Sequence, residues 1–257
     1  LDLMRAGSST SQAHPAPPPS DPRWGSEDRP RKAEAIWQTL LHFRGPEIGD
    51  GVWLDVGCGS GGIAAALAPR VHRIIGLDPE PWERWPMWME AHPNLTFLEG
   101  SYDSIPARVP AESVDVVVCN QVYEHVPDPV GLIAFIHRTL KPGGVCYFAG
   151  PNLLFPIEPH VFWPFVHWLP RRLAVSLMQR MGSSAVLDAD STHYWRLLSW
   201  TRPFDVTNAV PQILRDPTNY GRRGPVWRLL SRIPTALLAS LTPLSPGFVF
   251  VLKKRAR

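Results

Sequence analysis

Residues 51–67 read GVWLDVGCGSGGIAAAL, and this stretch decides the fold. GVWLDV is an apolar run broken only by Asp55, the pattern of a short strand. Gly57, Gly59, Gly61 and Gly62 follow, and then an alanine-rich helix that Pro69 ends. A strand, a glycine turn and a helix in that order present unpaired N–H groups of the helix start. The glycines let a ligand lie against bare backbone.

Working outward, the same alternation continues. VHRIIGLD (71–78) is a strand by its β-branched run, PWERWPMWMEA (81–91) is helical with Trp82, Trp85 and Trp88 three apart, and LTFLEG (95–100) is a short strand. The Trp82/Trp85/Trp88 stripe reads as core or groove cover. VDVVVCN (114–120) is continuously apolar, as in a strand buried on both faces of a parallel sheet. DPVGLIAFIHRTL opens with Asp128 as N-cap and Pro129 at the first helical position, PGG stops it, and VCYFAG is the next strand. Upstream, residues 31–43 place Ala33, Ile36, Trp37, Leu40 and Leu41 on one helical face. Strand–helix alternation at this spacing predicts a doubly wound, mostly parallel α/β sheet. The pattern changes after residue 150. Residues 152–200 read as an aromatic, proline-punctuated insertion containing a helix over RRLAVSLMQRM. Weak alternation near FDVTNAVPQIL, a last helix (VWRLLSRI) and a closing strand, FVFVLKK, complete a single domain over 31–257.

The glycine turn alone is ambiguous. Gly57, Gly59 and Gly62 satisfy the dinucleotide GxGxxG, and Gly57, Gly59 and Gly61 preceded by Asp55 satisfy the loop of S-adenosylmethionine enzymes. Asp78 lies 21 residues after Gly57 (78 − 57), where a carboxylate accepts ribose hydroxyls of either cofactor. LDVGCGSGG, GLDPE, VDVVVCNQVYEHVPDP and LKPGG, in this order, resemble the class I S-adenosylmethionine-dependent methyltransferases, in particular the ubiquinone/menaquinone-type small-molecule branch. The resemblance covers residues 34–150 closely and the final strands loosely. It implies a Rossmann-like seven-stranded sheet with an antiparallel C-terminal strand, and S-adenosylmethionine as cofactor. It places Gly57, Cys58, Gly59 and Gly61 around the methionyl part and Asp55 on its amino group. Asp78 falls on the ribose, Pro79 against the adenine, and Asn120 and Gln121 on the methionine side. Ser101 stands where the family carries an acid toward the adenine, with Tyr102 beside it; Asp103 is the substitute for the missing acid. Two alternatives stay open: a nicotinamide-dependent oxidoreductase using the same turn, and a catalytically silent binding module.

Methyl transfer from a sulfonium needs alignment and, for a hydroxyl acceptor, a proton acceptor. His125 and His160 are the weak candidates, Glu158 a third; a buried structural role is the competing reading of His125. No metal is implied, since neither HExxH nor a cysteine cluster occurs, and Cys58 and Cys119 read as packed residues. Phe155, Phe162, Trp163, Phe165 and Trp168 crowd the insertion, with Arg171, Arg172 and Arg180 after them. An apolar groove with a basic rim fits a small-molecule or lipid-like acceptor, reached at a membrane surface. Arg222, Arg223, Arg228, Arg232 and the tail KKRAR form a second basic set that meets phosphates, anionic lipid or only water. The net charge of +3, from 26 Lys and Arg against 23 Asp and Glu, is too small to imply a nucleic-acid partner. Residues 1–30 hold six of the 29 prolines, are rich in Ser and Ala, and read as a disordered leader without the apolar core of a secretory signal. The uncharged run 233–252 is broken by prolines and Gly247, so no transmembrane span is expected. These features predict a cytoplasmic protein, peripheral to the membrane at most.

Overall fold

In the computed structural model, residues 28–105, 108–157, 162–183 and 189–256 are described. The apolar run at 114–120 forms the middle of the sheet. As β4 (Val114–Asn120) it pairs in parallel with β1 (Val52–Val56) on one side and with β5 (Leu140–Pro151) on the other. β1 pairs in parallel with β2 (Arg73–Asp78), and β2 with β3 (Leu95–Glu99). β7 (Gly247–Lys254) runs antiparallel between β5 and β6 (Phe204–Asn208), giving the order β3-β2-β1-β4-β5-β7-β6. The chain therefore folds as expected, a mixed seven-stranded sheet of Rossmann-like α/β type.

Two apolar layers cover it. One joins Trp53, Ile74, Phe97, Val116 and Val118 to Ile36 and Leu40 of α1 (Asp28–Arg44), Ile63 and Leu67 of α2 (Gly62–Leu67) and Trp85 of α3 (Trp85–Ala91). The other joins Leu54, Val117, Cys146 and Phe250 to Leu132 and Ile136 of α4 (Pro129–Thr139) and Leu197 of α6 (Tyr194–Trp200). Alternate residues of one strand feed opposite faces, which is why Val116, Val117, Val118 and Cys119 are all apolar and buried. α4 starts where its cap predicts: Asp128 accepts the Gly131 N–H at 3.0 Å, and Pro129 occupies the first turn.

Three boundaries differ from the sequence reading, one of them that of α3, which starts at Trp85 and leaves Trp82 outside the helix expected over 81–91. α1 is described from Asp28, inside the expected leader, and Asp28 pairs with Arg31 and Lys32 one turn on. The rest of the leader, 1–27, lies outside the described residues. The PGG that stops α4 belongs to β5, which takes up these residues through a register shift between Val114 and Val116. In the insertion, α5 (Arg171–Arg180) packs Ala174 and Met178 on Val166 and Trp163 as a small separate cluster. No helix among the described residues is long and apolar enough to cross a membrane.

Gly76 shows how tightly the β2–β3 region packs. A Cβ there meets Phe97 at 2.5 Å and the Cys58 sulfur at 2.9 Å, and Phe97 in turn stacks on Trp85 with centroids 4.8 Å apart. Gly76→Ala is expected to destabilise the protein by about 1–3 kcal/mol, read as a lower urea midpoint at unchanged m-value.

Candidate cofactor site at the carboxyl edge of the sheet

The glycine loop is tied to the neighbouring strand rather than merely leading out of its own. The Gly57 and Cys58 N–H groups both donate to the Leu77 carbonyl, at 2.7 and 3.1 Å. The Gly59 N–H donates to Asp78 Oδ2 at 2.7 Å, and the Gly61 N–H closes the turn on the Cys58 carbonyl at 3.0 Å. Gly59 has φ +50°, and a Cβ there would meet only the Trp82 ring edge, at 3.9 Å. The space over this residue is open, which suits a ligand lying on bare backbone.

Asp55, next to last in β1, lies under this loop, 2% exposed, with Oδ2 lacking a hydrogen-bond partner. Burial pushes its carboxyl up to about 7; the Arg29 guanidinium opposes this and the Asp78 charge adds to it. Asp78, at the end of β2, is also raised by burial, against the N–H groups of Gly59 and Glu80 that it accepts. Burial, with Asp55 and Asp78 nearby, keeps the Cys58 thiol protonated, so it is a packed residue and not a nucleophile. A cavity of about 290 Å³ opens beside the loop, lined among others by Arg29, Ser60, Gly62, Arg84, Trp88 and His92.

The turn after β3 is held next to Asp78, because the Gly100 N–H donates to the Asp78 carbonyl at 2.9 Å. Within it the Ser101 hydroxyl bonds Asp103 and, at 2.9 Å, Ser104, so the serine and the substitute acid form one unit. Tyr102 turns the other way: its hydroxyl donates to the Asp128 carbonyl at 3.1 Å, at the start of α4. Pro79 is exposed beyond Asp78. Asn120 ends β4, and Gln121 leaves it with φ +59°, a strained conformation for a residue with a side chain. His125 is exposed, which corrects the reading of it as a buried structural histidine. His160 and Glu158 lie outside the described residues.

Two features escaped the sequence. Arg29 reaches the loop from α1, where leader composition masked the helix start. The tryptophan stripe does more than fill the core. Trp85 donates its indole N–H to the Gly59 carbonyl at 2.9 Å, and Trp88 donates to the Ser60 carbonyl at 3.1 Å. α3 therefore grips from one side the loop that β2 holds from the other. Among the described residues no group of His, Cys, Asp and Glu has the makings of a metal site.

A family model described as a methyltransferase domain matches residues 27–204. The ubiquinone biosynthesis O-methyltransferase of Vibrio cholerae is 35% identical over 102 residues, 38% of this chain and 41% of that protein. The one from Saccharophagus degradans is 36% identical over 102 residues, 43% of its length. The chain thus aligns with less than half the length of these relatives. Among solved structures, an S-adenosylmethionine-dependent methyltransferase from Mesorhizobium loti superposes with TM-score 0.53 at 19% identity, covering 85% of this chain and 97% of that one. The 1,6-didemethyltoxoflavin-N1-methyltransferase of Burkholderia thailandensis, with S-adenosylhomocysteine bound, gives TM-score 0.53 at 17% identity, covering 91% and 81%. With the family model spanning more than half of the sequence, from α1 to the start of β6, the chain belongs to the methyltransferase-domain family.

Proposed function

We propose that this chain transfers a methyl group from S-adenosylmethionine to a small, largely apolar acceptor, as a cytoplasmic enzyme in peripheral contact with a membrane. The observation that carries the cofactor reading is the buried Asp55 carboxylate with one free oxygen under the glycine loop, facing the Arg29 charge. That pair complements the ammonium and carboxylate of a methionyl group, which a nicotinamide dinucleotide lacks. Gly57, Cys58, Gly59 and Gly61 would border the methionyl part, with Asn120 and Gln121 on its other side. Asp78 accepts the Gly59 N–H on one oxygen and the Glu80 N–H on the other, and each oxygen keeps a lone pair for ribose hydroxyls. Pro79 and the Ser101–Asp103 unit would meet the adenine; Tyr102, its hydroxyl committed to Asp128, has only its ring to offer. Family membership disfavours the oxidoreductase reading, and the intact loop with Asp78 disfavours a silent module.

The bound cofactor supplies an activated methyl carbon. The chain's part is to fix that carbon in line with the acceptor's nucleophilic atom and to exclude water. His125, exposed just past β4, is the described candidate to take a hydroxyl proton. The name of the relatives supports a quinone-like oxygen acceptor. The insertion supports an apolar one: Phe162, Phe165 and Trp168 are exposed beyond β5, followed by Leu173 and Leu177 on α5 and Met181 at its end, beside Arg171, Arg172 and Arg180. We read residues 152–181 as the lid or groove that receives it.

A screen with labelled methyl donor against lipid, polar-metabolite and protein pools tests the assignment. Label is expected in the lipid fraction; label only in protein or nucleic acid overturns it. The tryptophan grip gives a second expectation. Trp85→Phe and Trp88→Phe each keep a ring but lose one N–H bond to the loop. Each should raise the donor's Kd by about two- to tenfold, the worth of one hydrogen bond, with kcat at saturating donor little changed. Titration calorimetry and steady-state kinetics read both, and unchanged Kd would show that the loop holds its shape without them.

A further inference from the structure

Residues 221–246 carry α8 (Pro225–Leu230) and α9 (Thr235–Leu241), and their apolar side chains face outward. α8 buries none of its residues, and α9 buries only Leu238. Val226 and Leu229, three apart on α8, are 65% and 66% exposed. Leu237 and Leu241, four apart on α9, share a face, and exposed Leu244 follows them one turn on. Interleaved with these are four exposed arginines, Arg222, Arg223, Arg228 and Arg232, and Arg222 lies over the Trp227 ring at 4.5 Å. From Pro217 to Arg257 the sequence contains no Asp or Glu. Among the described residues none of the four arginines pairs with a carboxylate, whereas Arg70, Lys141 and Arg255 each do.

The segment is fastened to the edge that carries the glycine loop. Asn152, just past β5, donates its amide to the Pro243 and Ser245 carbonyls, both at 2.8 Å, and Gly247 then opens β7 opposite Pro151. The loop after β1 and the start of β7 thus lie on one edge of the sheet.

Exposed leucines and a tryptophan among arginines, with no acid, match the chemistry of a bilayer interface. The apolar groups enter the headgroup–acyl boundary, and the guanidinium groups meet lipid phosphates. A two-fold contact with a second copy would instead set the same four arginines against themselves with no acid to neutralise them. We propose that residues 221–246 form a docking surface for an anionic lipid bilayer, seating the cofactor edge where an apolar acceptor dissolves. The purpose of docking rests on the acceptor reading above; the docking itself does not.

Co-sedimentation of the full chain with phosphatidylcholine vesicles, alone or with about one-third phosphatidylglycerol, tests this. Binding is expected only to the anionic vesicles and to weaken as salt rises. Two double variants, Val226→Ser with Leu229→Ser and Arg228→Glu with Arg232→Glu, change exposed positions only. Each should weaken partitioning by about tenfold or more while the thermal melt and S-adenosylhomocysteine binding stay as in the wild type. Absent vesicle binding, or binding that neither variant changes, overturns the proposal. So does a wild-type dimer that the variants dissociate, which would assign the surface to a second copy. Absence of vesicle binding by the wild-type chain, with S-adenosylhomocysteine still bound, refutes the docking surface alone. Failure to bind S-adenosylhomocysteine with vesicle binding intact refutes the methyltransferase reading alone.

Discussion

The hydrogen bonds from the glycine loop to the end of β2 are the constraint on which the site depends. Two consecutive N–H groups, Gly57 and Cys58, share the Leu77 carbonyl, and a third, Gly59, takes the Asp78 carboxylate. These bonds hold the loop across the ends of β1 and β2, above Asp55. They exist only because β1 and β2 are parallel neighbours in register, Val56 beside Leu77. The parallel sheet is thus what brings two carboxylates from separate strands, Asp55 and Asp78, to one loop. Ligands of open α/β sheets bind at this edge for the same reason.

The price of that arrangement appears in the carboxylates. Asp55, with its pKa pushed to about 7, loses the free energy of an ionised group in water without gaining a partner for its second oxygen. Linkage gives the sign. A folded-state pKa above the unfolded value means that the native state holds the proton more tightly, so this group favours folding at low pH. That advantage fades as pH rises from about 4 toward 7. A cationic ligand against Asp55 reverses the balance by favouring the ionised form. The loop is braced for this from the far side by Trp85 and Trp88, whose indole N–H groups cap carbonyls that would otherwise have no strand to pair with.

Much of this was legible in the sequence because it is local. The strand, glycine turn and helix sit within 17 residues, the Asp128–Pro129 cap announces α4, and the apolar run 116–119 marks a central strand. What was missed depends on direction or distance. A three-residue spacing reads as one helical face for Trp82, Trp85 and Trp88, yet Trp82 precedes α3, and spacing does not say where an indole N–H points. Arg29 lay hidden because Pro and Ser dominate the residues before it, although Asp28 followed by Arg31 and Lys32 is a helix-start signal. Tyr102 follows Ser101 directly, yet its hydroxyl leaves for α4, a partner 26 residues on that spacing does not reveal. The exposure of α8 was equally hidden: VWRLLSRI reads as an ordinary helix until the structure shows that none of α8's residues is buried.

The central claim is that Asp55 under the glycine loop awaits the cationic end of S-adenosylmethionine. Titration calorimetry with S-adenosylhomocysteine and with NADH, from pH 6 to pH 8 in buffers of different ionisation enthalpy, tests it most directly. The account predicts that S-adenosylhomocysteine binds and NADH does not. It also predicts proton release on binding near pH 7, affinity falling by up to about tenfold per pH unit below that point, and loss of this pH dependence in Asp55→Asn. Binding of NADH without S-adenosylhomocysteine, or S-adenosylhomocysteine binding with no proton release and no pH dependence, would contradict it.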